Sequence, residues 1–135
     1  MKHLCTEIVK LDHSTAVKIL EDPLHMAAAV GIHEIVEEIL DSYPIAVYIE
    51  NEHYQTIFQV AIANRREMVF SIIYQFEGLG DLFLSTQDLS RNVGLHLAGY
   101  FGPEQSQGLA ASAAGPVLQM QREMQWFRVK YFFLM

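Results

Sequence analysis

The sequence predicts an all-α solenoid of about three helix-turn-helix repeats with a C-terminal capping helix. Two observations predict it. A five-residue pattern returns: Pro23-Leu24-His25-Met26-Ala27, then Ile57-Phe58-Gln59-Val60-Ala61, then Gly94-Leu95-His96-Leu97-Ala98. The three alanines set a period within the ~20–50 residues typical of stacked repeat units. Independently, the step from Ala27 to Ala61 carries the apolar positions Ile35, Val36, Ile39 and Leu40 onto Val69, Phe70, Ile73 and Tyr74. A helix pair of this kind cannot bury its apolar face alone. It stacks on its neighbours, and the stack offers an elongated surface for binding.

Taken in order, residues 1–21 read as a lead-in or end cap. Ile8, Val9, Leu11, Ala16, Val17, Ile19 and Leu20 supply apolar surface, and Asp12 or Ser14 suits the N-cap of a helix running to Leu20. The repeats span 22–103. Asp22 and Pro23 read as an N-cap and first helical residue. Leu24 to Val30 is a short helix of small residues, and Gly31 suits the left-handed residue that ends it. A second helix runs from about His33 to Ser42. Its apolar residues share one face, with Glu34, Glu37, Glu38 and Asp41 opposite. Tyr43-Pro44 stops it. Ile45 to Tyr48 and the polar stretch Glu50 to Gln55 connect to the next unit, with a projecting turn at the tip. After Phe76, Gly78 and Gly80 break the chain, and Asp81 to Leu84 form an extra turn. The residues that lengthen the second step, from Ala61 to Ala98, fall there. Leu95 to Tyr100 is the third first-helix, ended by Gly102-Pro103.

Residues 104–115 are small and polar and read as a linker. Pro116 opens a final amphipathic helix over 116–130, in which Val117, Met120, Met124, Phe127 and Tyr131 recur at steps of three and four. A tail, 131–135, follows.

Composition narrows the function. The 135 residues are 51% hydrophobic, which suits a folded chain. The net charge of −7 argues against general attraction to nucleic acid or anionic lipid, which needs clustered Lys and Arg. The single cysteine, Cys5, allows no internal disulfide and fits a reducing compartment. It reads as a free thiol in a fraying terminus. The first residues lack the apolar core of a signal peptide, and no stretch reaches the ~18 uncharged apolar residues of a membrane helix.

No catalytic or metal-binding residue is expected, and no cofactor. His33-Glu34-Ile35-Val36-Glu37 begins like a zinc-protease helix, but the position i+4 from the first histidine holds Glu37 instead of the second. No phosphate-binding glycine loop, nucleophile elbow or paired-cysteine motif is present.

Residues 23–128 resemble plant ankyrin-repeat proteins of the membrane-anchored type, in which the repeats precede a domain named for a Pro-Gly-Gly motif. The resemblance rests on Pro23 to Ala28, Gln55 to Ala61, Leu95 to Gly99, and above all Leu118-Gln119-Met120-Gln121-Arg122-Glu123-Met124-Gln125-Trp126-Phe127. It implies a non-catalytic protein–protein interaction role in signalling or defence. The partners are other proteins. The location is cytoplasmic or peripheral at the plasma membrane. It also implies repeat-building roles for Leu24, His25, Ala27, Gly31, Thr56, Phe58, Ala61, Leu95, His96 and Ala98. At His25 and His96 the ring bonds backbone in the adjoining turn, and Gln59 substitutes because an amide also donates and accepts. The sequence departs from the family in two ways. The Pro-Gly-Gly domain is missing after Val129. The Asp-Gly expected at the turns is replaced by His53-Tyr54 and Ser90-Arg91, and a left-handed residue other than Gly costs roughly 1 kcal/mol. Large residues at places that want Gly mark His53, Tyr54, Gln55, Ser90 and Arg91 as candidate partner contacts, with Trp126 as a further aromatic anchor. The alternative role is a truncated regulatory or non-functional fragment that competes with a full-length relative.

Overall fold

Every regular element of the chain is helical among the residues that the computed structural model describes, 2–76 and 78–99. Trp126, the expected linker 104–115, the expected helix 116–130 and the tail 131–135 lie outside them. So do Tyr100, Gly102 and Pro103 and the side chains of Leu95 and Ala98. The helices are α1 (Lys2–Val9), α2 (His13–Val30), α3 (His33–Ser42), α4 (Ile57–Ala63), α5 (Glu67–Phe70), α6 (Gly80–Ser85) and α7 (Gly94–Gly99). Two 3-10 segments, Pro44–Tyr48 and Ser71–Gln75, follow α3 and α5.

The helices pack in two rows. α2, α4 and α7 form an inner row, α2 on α4 and α4 on α7. α1, α3 and α5 form an outer row in the same way. α2 also packs on α3, and α4 on α5, so inner and outer helices are paired by short connections. α6 packs on α4 and α7.

α2 corrects one expectation. No new helix begins at Asp22 and Pro23. A single helix runs from His13 to Val30 with Pro23 inside it. Its cap is Asp12, whose carboxylate accepts from the Thr15 amide at 3.2 Å and the Thr15 hydroxyl at 2.6 Å. Proline in a helix interior removes a donor and costs ~3 kcal/mol. The helix continues because Ala16, Leu20, Leu24, Ala27 and Ala28 form one unbroken buried face. Burying a leucine contributes ~1.5–3 kcal/mol, so Leu20 and Leu24 together outweigh the proline. Gly31 ends α2 at φ 95°. Its amide and that of Ile32 both reach the Ala27 carbonyl at 2.9 Å.

Cys5 is the second correction. It is buried, with Ile8, where α1 meets α3. Leu20, Ile39 and Tyr43 stand around it. The reason is the apolar face that α1 brings to the outer row.

The third correction is Tyr74. Leu40 is buried, yet Tyr74, its counterpart in the next unit, is half exposed, while Ile72 and Ile73 go inside. A 3-10 turn holds three residues rather than 3.6. The segment Ser71–Gln75 therefore rotates the buried face back by about one residue. The core beyond it is aromatic. The Phe58 ring lies 5.3 Å from Phe83 and 6.3 Å from Phe76, and Tyr48 lies 5.6 Å from Phe83.

The change of period is local. Through α5 the units keep the step that carries Ala27 onto Ala61. From Pro44–Tyr48 against Gly80–Ser85 onward they follow the longer step that carries Ala61 onto Ala98. The added residues therefore fall between Phe76 and Gly80, and Gly78 sits there at φ 77°.

Candidate functional site

Two turns project ahead of α4 and α7, and they are built alike. In the first, the Asn51 side-chain oxygen accepts from the amides of His53 and Gln55, both at 2.9 Å. The Asn51 amide donates to the Gln55 carbonyl at 3.0 Å, and the Tyr54 amide donates to the Asn51 carbonyl at 3.0 Å. In the second, Asp88 stands where Asn51 stood and accepts from the amides of Ser90 at 2.9 Å and Asn92 at 2.8 Å. The Asp88 amide donates to the Asn92 carbonyl and the Arg91 amide to the Asp88 carbonyl, both at 2.9 Å. A short Asx side chain that folds back on the next backbone amides is what fixes such a turn.

The geometry forces a left-handed residue at the same place in each turn. Tyr54 has φ 57° and Arg91 has φ 63°. These are the positions where the sequence holds Tyr and Arg in place of the expected Gly. The tips stand clear of the fold beneath them: Tyr54 is 55% exposed and Leu89, one residue after Asp88, is 62% exposed. His53 and Glu52 are exposed as well and approach to 3.4 Å.

The turns are tied to one another and to the helices beneath. The Leu89 amide donates to the His53 carbonyl at 2.8 Å. Gln55 Nε2 donates to Asp88 Oδ2 at 3.2 Å. The ring nitrogens of buried His25 reach the carbonyls of Glu21 at 2.8 Å and of Gln55 at 3.1 Å, so α2 holds the first turn. Gln59, at the same position of α4, donates to the Thr86 carbonyl just before the second turn. Its amide oxygen accepts from the Thr56 amide at 2.9 Å while the Thr56 hydroxyl accepts from the Gln59 amide, a reciprocal cap. His96 repeats half of this: its Nδ1 accepts from the Val93 amide at 3.2 Å.

Asp88 carries the electrostatics of this row. Burial pushes its pKa up. Hydrogen bonds from the Asn92 amide, the Gln55 side chain and the Ser90 amide pull it down and prevail, so its carboxyl titrates below the ordinary carboxylate range. Asn51 performs the same structural task without a charge.

The structure thus brings His53, Tyr54, Gln55, Ser90 and Arg91 together on one edge. Leu24, Ala27, Thr56, Phe58 and Ala61 are buried beneath it. Sequence reasoning misses Asn51 and Asp88, although each stands three residues before a turn tip and their spacing equals that of Ala61 and Ala98. It also misses Arg65, which is left-handed at φ 58° where the repeat places the counterpart of Gly31. Arg66 beside it donates from Nε to the Ala29 carbonyl at 2.8 Å and so caps α2 from the next unit.

Elsewhere the described surface holds an open acidic groove between α1 and α3, lined by Thr6, Glu34, Glu37, Glu38, Asp41 and Ser42. It contains the carboxylates of the His33–Glu37 stretch but no second histidine. No group of three His, Cys, Asp or Glu side chains among the described residues is placed to hold a metal ion. No described helix is long and apolar enough to cross a membrane.

A scan against protein-family models and searches of curated proteins and of solved structures returned no match.

Proposed function

We propose that the chain is a short ankyrin-repeat stack that works as a non-catalytic protein-interaction module, with the turn row as its contact edge. The observation that carries this reading is the repetition of one turn, with His53, Tyr54 and Gln55 in the first copy and Ser90, Arg91 and Asn92 in the second. Hydrogen bonds lock the backbone of both turns, so their exposed side chains project from a fixed frame before a partner arrives. Preorganisation of that kind reduces the entropy lost on binding. Exposed Tyr54 and Arg91 are of the residue types that dominate protein contact surfaces.

The partner is accordingly another protein. The family resemblance at Pro23–Ala28 and Leu118–Phe127 supports a role in signalling or defence, in the cytoplasm or at the inner face of the plasma membrane. The net charge of −7 argues against nucleic acid.

The test is affinity capture with the intact chain beside a His53→Gly, Tyr54→Gly variant. Gly relieves the left-handed strain at position 54, so the variant is expected to fold at least as well while losing its partners. Equal recovery of the same partners by both chains removes the turn row from the contact edge.

A further inference from the structure

His25 meets backbone at both ring nitrogens. Nδ1 lies 2.8 Å from the Glu21 carbonyl oxygen, and Nε2 lies 3.1 Å from the Gln55 carbonyl oxygen. A carbonyl oxygen only accepts. A neutral imidazole has one N–H, so it satisfies one of these oxygens and turns a bare nitrogen on the other. The imidazolium donates to both. The residue is 6% exposed, which leaves water little access to supply the missing donor.

The other two copies of the pattern make no such demand. Thr56, three residues before Gln59, gives its amide to the Gln59 side-chain oxygen, and Gln59 Nε2 donates to the Thr86 carbonyl. Val93, three residues before His96, gives its amide to His96 Nδ1. Both amides are available because a helix starts there, α4 in one case and α7 in the other. α2 runs straight through the corresponding place at Asp22. What meets Nδ1 of His25 is a helix carbonyl one turn earlier. The continuity of α2 has exchanged a donor for an acceptor.

We propose that His25 is a proton-operated clamp between α2 and the first turn. With a proton on each ring nitrogen it holds both carbonyls. On losing one proton it keeps the shorter bond, to Glu21, and releases Gln55. The bond to the turn is therefore present on the acid side and lost as pH rises. The second turn hangs from Gln59, whose amide does not titrate, so that anchor stays closed. The clamp belongs to the fold itself and stands apart from what the turn row contacts.

The charge around the clamp is mainly acidic. α2 carries Glu21 and Asp22 beside it, and the first turn carries Glu50, Glu52 and His53. α3 adds His33, Glu34, Glu37, Glu38 and Asp41, Asp88 is linked through Gln55, and α4 has no charged residue. The cations are Lys18, two turns before His25, and Arg66, at the Ala29 carbonyl one turn after it. A charged ring thus finds counter-charge nearby.

Nitrogen NMR of the full chain with labelled histidines tests this from pH ~5 to ~8, the range in which histidine side chains change charge. The expected result is a His25 ring protonated on both nitrogens on the acid side, with Nε2 bare on the alkaline side. Amide protection factors, corrected for the intrinsic pH dependence of exchange, follow the turns in the same samples. Those of Asn51, Tyr54 and Gln55 are expected to fall about fivefold as Nε2 loses its proton, the worth of one net hydrogen bond. Those of Ser90 and Asn92 change less. His25→Gln puts at this position the side chain that Gln59 supplies in the next copy, and is expected to abolish the step. The readouts on the unmodified chain decide the matter even where that variant folds poorly. A His25 ring with a single proton throughout the range overturns the proposal. So does a first turn whose protection ignores the loss of the Nε2 proton, or a step that persists in His25→Gln.

Discussion

The α2–α3 pair and the α4–α5 pair follow one plan and differ at their edges. Leu24 and Phe58 occupy the same buried place, and so do His25 and Gln59. The start of each pair is different. α4 begins after a turn, with Thr56 as its cap; α2 has helix where that turn would be, starting from Asp12. The exit differs in chemistry but not in shape: Gly31 in one pair and Arg65 in the other both have positive φ. The buried positions are set by the need to stack, which leaves little choice. The ends are free to find separate local solutions.

Truncation of the shared core position gives the largest expected effect. Phe58→Ala removes the ring that meets both Phe76 and Phe83 and is expected to cost ~3–5 kcal/mol. Leu24→Ala in the other pair is expected to cost ~2–5 kcal/mol, at the lower end because it leaves that aromatic cluster intact. Chemical denaturation of both variants checks the order. A larger loss at Leu24 would show that the first pair, not the second, carries the core.

The helix starts come next. Pro23→Ala restores a helix donor and is expected to stabilise the chain by on the order of 2–3 kcal/mol. If Pro23 instead began a helix, the same change would be neutral or unfavourable. A thermal melt that does not move upward would therefore break the contrast between the starts of α2 and α4.

The exits follow. Gly31→Ala places a Cβ in a left-handed residue and only 2.9 Å from Arg66 Cδ, so the side chain that caps α2 must move. A loss of ~1–2 kcal/mol is expected. Arg65→Gly is expected to act in the opposite sense by less than about 1 kcal/mol, since relief of strain is partly offset by a freer unfolded chain. Denaturation midpoints of the two single variants compare them.

These positions show what is legible in the sequence. Period, burial and the stacking of helices follow from spacing, because the step from Ala27 to Ala61 carries one apolar stripe onto another. Gly31 is readable as a helix end for the same reason that Arg65 is not: the side chain advertises the conformation in one case and hides it in the other. The continuity of α2 is hidden too. Asp22-Pro23 is a strong local start signal, and only the buried stripe from Ala16 to Ala28 overrules it. The exposure of Tyr74 depends on the 3-10 turn, which a helical period of 3.6 cannot show. In the turn row, the tips are legible from missing glycines, whereas the Asn51 and Asp88 anchors emerge only from their bonds to the backbone.

The smallest expected effect separates the two turns by pH. Asp88 has a depressed pKa in the folded chain, so the unfolded chain binds its proton more readily. The stability Asp88 contributes is complete above the ordinary aspartate value near ~3.9 and is lost as pH falls through its lower folded value. Asp88→Asn is expected to flatten this acid limb, because an amide there, like Asn51 in the first turn, does not titrate. Denaturation curves collected from neutral pH down to the acid range would show it. An acid limb of unchanged slope in Asp88→Asn would assign the loss to other carboxylates.

The grip of Arg66 on the Ala29 carbonyl has a consequence for how the chain comes apart. The end of α2 is sealed by a residue that belongs to the following helix pair, and the seal lies over Gly31. α2 therefore cannot fray from its C-terminal end without first releasing Arg66. Amide hydrogens in the last turn of α2 and at the start of α5 are expected to exchange with solvent together, as one opening event, and not as two independent helix ends.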